Sequence, residues 1–283
     1  MSQINQLKEG VNQPVEEVKE EDVKGKTTVF SVNKEGLKLL YNVSEALTDM
    51  NIFFAGNGLR MLSFDPSKVV LIDASVKGVV KGLGKTVNAV FERSRVEKYL
   101  KVCSVFENVV GNEKYVPVRI TPVYRVRKHS DGRVEKEPCR IEAWIDEYMV
   151  GEGIPEVIHE DKLKRVKAKL VKATADAKAL LKIVKSSVKV SDVIGFWNHK
   201  GKMKIGVEVD GEFMWRNVDG VFNVKGVRQF KTYYHAETLS KIIYPFICET
   251  VTIRIGTNMP MCITHKSRRV TVNTWIAPRI TEA

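Results

Sequence analysis

Along most of the chain, hydrophobic and polar positions recur with one of two periods. A period of two predicts short β-strands, separated by turn residues, at positions 29–32, 51–55, 59–64 and 69–75. A period near 3.6 predicts an amphipathic helix that begins near Asn33, a residue type that caps helices. The chain therefore opens with a strand, a helix and an antiparallel meander.

The next segment continues this pattern with longer strands. Alternation predicts strands at residues 87–91, 115–126 and 134–145. Helical spacing predicts a second helix over residues 92–106, with an apolar stripe on one side. The turn signal His129-Ser-Asp-Gly132 joins the two long strands into a hairpin, which ends the first half of the chain.

A connector near the middle of the chain is rich in glycine and charge. It runs from Gly151 to Lys162, and its Gly153 and Pro155 interrupt regular structure. We assign residues 147–165 to this connector. It is either a plain linker or a docking site, because exposed loops with some apolar residues are common places for partners to bind.

The second half repeats the order of the first. Alternation predicts strands at residues 166–172, 194–198, 202–209, 212–217, 221–224, 228–233, 250–256, 261–265 and 269–275. Helices are predicted over residues 174–189 and from His235 onward, and their starts follow those of the first half by 141 and 143 residues. Such offsets indicate a duplicated domain. The predicted fold class is α+β, with two similar domains at 27–146 and 166–283, each placing two helices on one face of an antiparallel sheet.

Charge is distributed unevenly. Residues 1–26 carry six acidic side chains and little apolar surface, so we expect an acidic, disordered N-terminal extension. Residues 27–283 carry 42 basic and 28 acidic side chains, a net charge of +14. A charge of this size favours polyanionic partners, with nucleic acid first and an anionic membrane second.

The composition, with 43% hydrophobic and 28% charged residues, is typical of a soluble globular protein. No apolar run approaches the roughly 20 residues of a membrane span, and the N-terminus lacks the apolar core of a signal peptide. The cysteines are too widely spaced to predict a zinc site or a redox pair; they are Cys103, Cys139, Cys248 and Cys262. We expect an intracellular protein with reduced thiols.

A row of lysines lies on the helix predicted over residues 174–189. Lys178, Lys182, Lys185 and Lys189 recur at steps of four, three and four, which places them along one face. The row has no acidic partners at helical spacing, so its like charges repel. It is either a solvated face or a surface that binds a polyanion, and the missing acidic partners favour the polyanion.

Little in the sequence indicates catalysis. The histidines are scattered, no nucleophile elbow or zinc-protease motif is present, and Gly84-Lys85-Thr86 matches only the end of a phosphate loop. We expect no enzymatic activity, no cofactor and no metal. The alternative is a catalytic nucleic-acid-binding protein such as a nuclease, which would need a cluster of acidic metal ligands.

Four segments together resemble the proliferating cell nuclear antigen (PCNA) family of DNA polymerase sliding clamps. They are Gly58–Leu71, Lys98–Cys103, Gly153–Glu156 and the tail from Thr250 through Met259-Pro260 to Ile276–Ile280. The resemblance covers essentially all of the chain except its first 26 residues. It implies a homotrimeric ring that encircles double-stranded DNA without sequence specificity. It also implies an intracellular location with the DNA, which is the cytoplasm of an archaeon or of a virus-infected cell, or a nucleus.

The resemblance and the basic helix faces together give an expected DNA-binding set. It consists of Lys34, Lys38, Arg95, Lys98, Lys101, Lys178, Lys182, Lys185, Lys189 and Lys241. Cationic side chains without interleaved aromatic residues contact phosphates, and phosphate contacts carry no sequence information.

The resemblance also implies partners that dock outside the ring: DNA polymerase, the clamp loader, and other replication and repair proteins with a short peptide motif. The pocket for this motif would lie under the connector. Carried over by position, it consists of Phe64, Lys68, Val69, Leu71, Ile154, Pro155, Pro260, Trp275, Ile276, Ala277 and Pro278. We expect it to be an exposed apolar hollow, because such hollows on a protein surface usually mark binding sites.

Two oligomeric forms stay open. Herpesvirus-type processivity factors share the fold, carry a basic body like this one, and hold DNA as monomers or dimers. If this chain forms a ring, we expect the strand at 138–146 of one subunit to pair with the strand at 212–217 of the next, which would cover both edges.

Overall fold

The computed structural model describes residues 19–56, 58–110, 114–156, 158, 164, 166–167, 170–218, 220–225, 229–244 and 248–279. The elements of the first half are β1 (Lys19–Lys24), β2 (Thr28–Asn33), α1 (Lys34–Val43), β3 (Asp49–Ala55), β4 (Gly58–Phe64), β5 (Val70–Val76), β6 (Val80–Lys81), β7 (Val87–Glu92), α2 (Arg93–Val110), β8 (Tyr115–Lys128), β9 (Val134–Ile145) and β10 (Tyr148–Gly153).

The elements of the second half are β11 (Val171–Asp176), α3 (Ala177–Val188), β12 (Val193–His199), β13 (Lys202–Val209), β14 (Glu212–Asn217), β15 (Phe222–Lys225), β16 (Phe230–His235), α4 (Ala236–Lys241), β17 (Thr250–Ile255), β18 (Met261–Lys266) and β19 (Val270–Ile276). Most predicted strands and helices are present within a few residues. None of the described helices is long and apolar enough to cross a membrane.

The strands form three antiparallel sheets. One sheet has the order β10-β9-β8-β2-β6, with β1 also paired to β8. A second sheet runs through both halves in the order β15-β11-β17-β18-β19-β5-β4-β3-β7, and the third has the order β14-β13-β12-β16.

The strand pairing repeats between the halves. β2 pairs with β8 as β11 pairs with β17, and the hairpins β3–β4 and β9–β10 recur as β12–β13 and β18–β19. Each half also carries a helix after β2 or its counterpart β11, and a helix before its last three strands. The chain is therefore an α+β protein of two similar domains, as the sequence predicts.

The two domains meet at a strand pair. β5 and β19 pair over their full length, from Val70 opposite Ile276 to Val76 opposite Val270. The Tyr244 hydroxyl, just after α4, donates a hydrogen bond to the Val43 carbonyl at the end of α1, at 2.6 Å. One apolar core runs through both domains beneath this junction.

Local sequence sets where the helices begin. The Asn33 side chain accepts hydrogen bonds from the amides of Glu35 and Gly36, and so caps α1 as predicted. The Asp176 carboxylate accepts from the Ala179 amide and caps α3. The helix predicted from residue 174 therefore begins three residues later, because Thr174 belongs to β11.

Residues 19–24 correct the prediction that residues 1–26 are disordered. They form β1, which pairs with β8 from Lys19 opposite Lys128 to Lys24 opposite Val123. The prediction was wrong here because it counted only apolar surface, whereas a strand added to an existing sheet edge is held by backbone hydrogen bonds. Residues 1–18 lie outside the described residues.

The connector prediction is wrong in its first part. Residues 148–153 form β10, which pairs with β9, so the connector begins after Gly153. Gly151 belongs to this strand because β10 packs against β7. A Cβ at Gly151 would come within 1.9 Å of the Val90 carbonyl oxygen, and only glycine fits there.

The strand predicted over residues 166–172 is also wrong. Val166 and Lys167 are helical, and β11 begins at Val171. Val166 and Leu170 lie four residues apart and contact the same apolar cluster, so a helical spacing was present in a segment that also alternates.

Candidate functional site

The lysine row of α3 lies on the exposed side of that helix. Leu180 and Val184 are buried in the core, whereas Lys178, Lys182 and Lys185 are exposed on the other face, followed by Lys189 at the C-terminal cap. No ion pair joins these four lysines to a carboxylate within the part of the chain that the structure describes. The row is therefore an uncompensated line of positive charge.

Basic side chains also border a groove between α1 and α2. The groove has a volume of about 660 Å³, and its lining includes Lys34, Lys38, Lys101 and Lys114 together with Glu35 and Glu97. Lys98 is exposed on the adjoining surface of α2. The structure thus brings the predicted cations of the first domain together on neighbouring helices.

Three cations of the predicted DNA-binding set form ion pairs within their own segment. Arg95 pairs with Glu92, Lys101 with Glu97, and Lys241 with Glu237. The Lys101 ammonium lowers the pKa of Glu97, and the Lys241 ammonium lowers that of Glu237, because each donates a hydrogen bond to the carboxylate. These pairs reduce the charge that α2 and α4 offer, so α3 carries the strongest positive row.

The predicted peptide pocket is assembled only in part. Leu71 lies opposite both Phe64 and Trp275 in neighbouring strands, so these three side chains share the outer face of the large sheet. Ile276 does not belong to this face. It is fully buried in the main core, because successive side chains of a strand point to opposite faces.

Other predicted pocket residues lie at its border. Lys68 pairs with Glu156 at 3.0 Å, and the Ala277 amide donates to the Val69 carbonyl at 2.8 Å. Val69 and Ile154 are 36% and 60% exposed. Pro155, Pro260 and Pro278 are half-buried.

The expected apolar hollow is covered. Ile158, Val166 and Leu170 from the connector region pack on a cluster formed by Leu62, Leu71, Cys262 and Trp275. Lys167 lies 5.8 Å from the centre of the Trp275 ring and donates a hydrogen bond to Asn273. Within the described residues, the chain's own side chains therefore cover the face around Leu71 and Trp275, where the sequence predicts an exposed surface.

The first domain carries a second charged surface that the sequence did not predict. Arg125, Arg127 and Lys128 of β8, with Arg140 of β9, form ion pairs with the acidic residues of β1. The available signal was the alternation of arginines in residues 125–128. It was passed over because residues 19–24 carry no apolar pattern of their own.

Within the described residues, no three side chains of His, Cys, Asp or Glu lie close enough together to hold a metal ion. The four cysteines are free thiols. Burial raises the pKa of the Cys262 thiol.

Comparison of the sequence with protein-family models and with curated proteins finds no match. The fold, in contrast, matches solved PCNA structures. The PCNA of Entamoeba histolytica has a TM-score of 0.61 and 13% identity, over 89% of this chain and 99% of that chain. A PCNA2–PCNA3 complex from Sulfolobus tokodaii has a TM-score of 0.60 and 16% identity, over 89% and 99%.

The PCNA of A. fulgidus, solved with the C-terminal region of FEN-1 bound, has a TM-score of 0.59 and 18% identity, over 90% of this chain and 99% of that chain. These matches span both domains and nearly the whole length of each solved chain. They agree with the duplicated strand order and the paired helices described above. The chain therefore has the fold of the PCNA sliding clamps.

Proposed function

We propose that this protein is a DNA sliding clamp, a non-enzymatic processivity factor that encircles duplex DNA and carries replication and repair proteins. One observation carries the proposal: an uncompensated lysine row lies on α3 of a chain that has the PCNA fold. Such a row favours a polyanion, and the fold supplies a helical layer on which the polyanion can lie.

The DNA contacts would come from the exposed cations of the helices. Lys178, Lys182, Lys185 and Lys189 are the strongest candidates, and Lys38 and Lys98 extend the surface onto the first domain, with the half-buried Lys34 beside them. Arg95, Lys101 and Lys241 would first have to exchange a carboxylate for a phosphate. Contacts of this type fix position without reading bases, so binding should not depend on sequence.

The intrachain junction suggests how a ring closes. β14 occupies in the second domain the place of β5 in the first, and β10 occupies the place of β19. Since β5 and β19 pair within the chain, β14 would pair with β10 of a second copy in the same way. This replaces the expected pairing through residues 138–146, because Ile141–Ile145 of β9 already have partners on both sides.

Exposed apolar side chains at both edges favour this closure. Met214 of β14 holds the register position that Ile72 holds in β5, yet Met214 is 53% exposed whereas Ile72 is fully buried at the junction. Met214 also borders a largely apolar groove of about 450 Å³ with Ile183 and Val190. Tyr148 is partly exposed on β10, the strand that would cover the groove. We propose three copies, with domains at 28–153 and 171–276.

Partner docking is the second part of the proposal. The A. fulgidus PCNA was solved with a FEN-1 segment bound, and the outer face around Leu71 and Trp275 is the corresponding candidate here. A partner peptide would have to displace Ile158, Val166 and Leu170, which now cover that face. Ile154 and Val69 would offer the first exposed apolar contacts.

The DNA-binding proposal is tested by the salt dependence of duplex binding. Each phosphate contact adds about −0.9 to the slope of log affinity against log salt, so Lys182→Ala with Lys185→Ala should flatten the slope by up to about 1.8. Lys77→Ala with Lys266→Ala removes the same charge from exposed positions off the helices and should leave the slope nearly unchanged. An unchanged slope in the α3 variant, or a strong preference for one duplex sequence, would contradict the proposal.

The alternative is an open monomer or dimer of the same fold. The basic body, with a net charge of +14 over residues 27–283, is the observation that favours it. Light scattering separates the two forms, because a ring predicts a mass near three times 32.0 kDa and the open form predicts one or two times that mass.

A further inference from the structure

β1 is a strand with no buried side chain. All six of its residues are exposed, although it pairs with β8 along its whole length. β2 pairs with the adjoining part of β8 on the same edge, yet its Phe30, Val32 and Asn33 are buried. The neighbouring segments therefore differ in what holds them: β2 is held by the core, and β1 is held only by its backbone pairing and its charges.

The charges of β1 are complementary to those of the strands beside it in the sheet. Glu20 pairs with Arg127 at 2.8 Å, and Glu21 pairs with Lys128 at 2.8 Å. Asp22 lies 2.5 Å from Arg140 and 3.8 Å from Arg125. We call these four cations the β8–β9 basic surface. Arg127 also lies 3.5 Å from Glu137 and Arg140 lies 2.6 Å from Glu152, so these two keep a carboxylate neighbour without β1, whereas Arg125 and Lys128 pair only with β1 among the described residues.

The pairing raises the pKa of Arg127 and of Arg140, because the hydrogen bonds that they donate to Glu20 and Asp22 stabilise the charged guanidinium groups. At the end of the strand, Lys24 pairs in turn with the nearly buried Glu142 of β9. Successive side chains of a strand alternate, so Glu20 and Asp22 meet the three arginines on one side of the sheet and Glu21 meets Lys128 on the other. On each side, a carboxylate of β1 occupies a position that an external anion could take.

Such an attachment is weak against competing anions. The ion pairs are between one third and two thirds exposed, so solvent and salt screen them. A segment without apolar burial opens at a lower free energy than the core beside it. Gly25 follows β1 and donates a backbone hydrogen bond to the Pro122 carbonyl at 2.7 Å, which would hold the chain at the start of β2 when β1 detaches.

We propose that β1 is a built-in substitute for DNA phosphates: it covers the β8–β9 basic surface in the free protein and yields that surface to duplex DNA. The inference rests on the proposed DNA-binding function. It adds a second contact surface, outside the helices, whose availability the protein itself controls. The occupant is a nucleic-acid backbone, because the cover consists of carboxylates and three of the four cations are guanidinium groups, which bind phosphate in the same geometry as carboxylate.

The first test removes the charge of the cover but keeps the strand. In Glu20→Gln/Glu21→Gln/Asp22→Asn, a labelled duplex should bind at least about fivefold more tightly at low salt. The salt slope should steepen by about 1.8 if only Arg125 and Lys128 gain phosphates, and by up to about 3.6 if all four cations do. Asp192→Asn/Asp210→Asn/Glu249→Gln is the matched control. It removes three exposed carboxylates elsewhere and should change the slope by less than about 1.

Adding Arg125→Gln, Arg127→Gln and Arg140→Gln to the first variant should return the slope to its wild-type value. A gain in affinity that survives this addition, or that the control variant matches, would overturn the inference, because the gain would then reflect net charge alone. No gain in the first variant, with wild-type binding that still responds to Lys182→Ala/Lys185→Ala, would overturn the inference and leave the proposed function standing.

Hydrogen exchange in the wild-type protein gives an independent measurement. In the free protein, amides of β1 that pair with β8 should be protected, and saturating duplex should lower that protection while β2 stays protected. Unchanged or increased protection of residues 19–24 with DNA bound would contradict displacement. If the wild-type chain binds no duplex by either measurement, the proposed function itself falls.

Discussion

At the residue scale, Gly151 has the tightest surroundings among the described glycines. Its Cα lies so close to β7 that a methyl group would meet the Val90 carbonyl oxygen at 1.9 Å and the Phe91 Cα at 2.9 Å. Both neighbours are backbone atoms, which cannot move aside as a flexible side chain can. This single contact sets the distance between β10 and β7.

Gly151→Ala should therefore lower the free energy of unfolding by about 1–3 kcal/mol, since β10 must shift away from β7. Gly84→Ala is the control, because a Cβ there meets no atom within 4 Å and the backbone has no positive φ. Its effect should stay within about 0.5 kcal/mol. Urea denaturation followed by fluorescence measures both, and equal stability of the two variants would show that the contact is not real.

His265 supplies a prediction about pH. It is fully buried beside Tyr244, whose amide donates a hydrogen bond to Nε2. Burial lowers the pKa of His265 to about 4, whereas in the unfolded chain it is about 6.5. The unfolded state therefore binds a proton first as pH falls, so stability should decrease from about pH 6.5 down to about pH 4, by at most about 3 kcal/mol.

The variant His265→Gln keeps an acceptor near the Tyr244 amide but does not titrate. Its unfolding free energy should change less with pH than that of the wild type in this window. His199→Gln is the control, because it removes a histidine that is only half-buried. If wild type and His265→Gln show the same pH profile, His265 is not the group responsible.

At the element scale, the connector region combines a cover and an exposed edge. Ile158, Val166 and Leu170 lie against the outer face of the large sheet, while Ile154 is 60% exposed at the end of β10. The Asn51 side chain donates to the Glu156 carbonyl and holds the start of the connector near β3. A partner peptide would therefore meet Ile154 before it reaches the covered cluster.

Ile154→Asp should weaken the binding of a glutamine-aliphatic-aromatic-aromatic peptide about tenfold or more, since about 1.4 kcal/mol corresponds to a factor of ten. The fold should survive, because the side chain is exposed. Val134→Asp, at a position 63% exposed on β9, is the control and should leave peptide binding unchanged. Calorimetric titration measures both, and equal affinities would show that residue 154 belongs to a plain linker.

At the scale of the whole molecule, the duplicated strand order leaves β10 and β14 as the two counterparts of the paired β19 and β5. β5 and β19 pair within the chain, whereas β10 and β14 are edge strands, and such an arrangement suits head-to-tail assembly. Closure removes both exposed edges at once. An edge left open invites non-specific pairing.

Met214→Glu places a charge in the groove that β10 would cover, so it should convert a species near three times 32.0 kDa into one near 32.0 kDa. Val29→Glu, at a position 56% exposed on β2, should leave the mass unchanged. Light scattering over a range of concentrations gives the answer. A Met214→Glu protein with the same mass as the wild type would show that this groove is not the interface.

Much of the secondary structure could be predicted from the sequence. The apolar periods located α1 and most strands, Asn33 predicted the first cap, and the helix starts at matching intervals predicted two similar domains. The lysine row on α3 was also visible, because charge at steps of three and four needs only the geometry of one helix. These features are local, and local spacing in the sequence determines them.

Tertiary structure alone decided the rest. β1 pairs with a strand about a hundred residues away, so its own composition could not reveal it. In the sequence, Gly151 reads as a residue that interrupts regular structure, but it belongs to β10 because β7 lies too close for a side chain. Trp275 and Ile276 contact different apolar clusters because they point to opposite faces of β19. Contacts between distant segments determined which strand edges stay unpaired and which face of the sheet the connector covers. They also placed the acidic β1 beside the basic β8. All three features depend on which elements lie side by side in the fold.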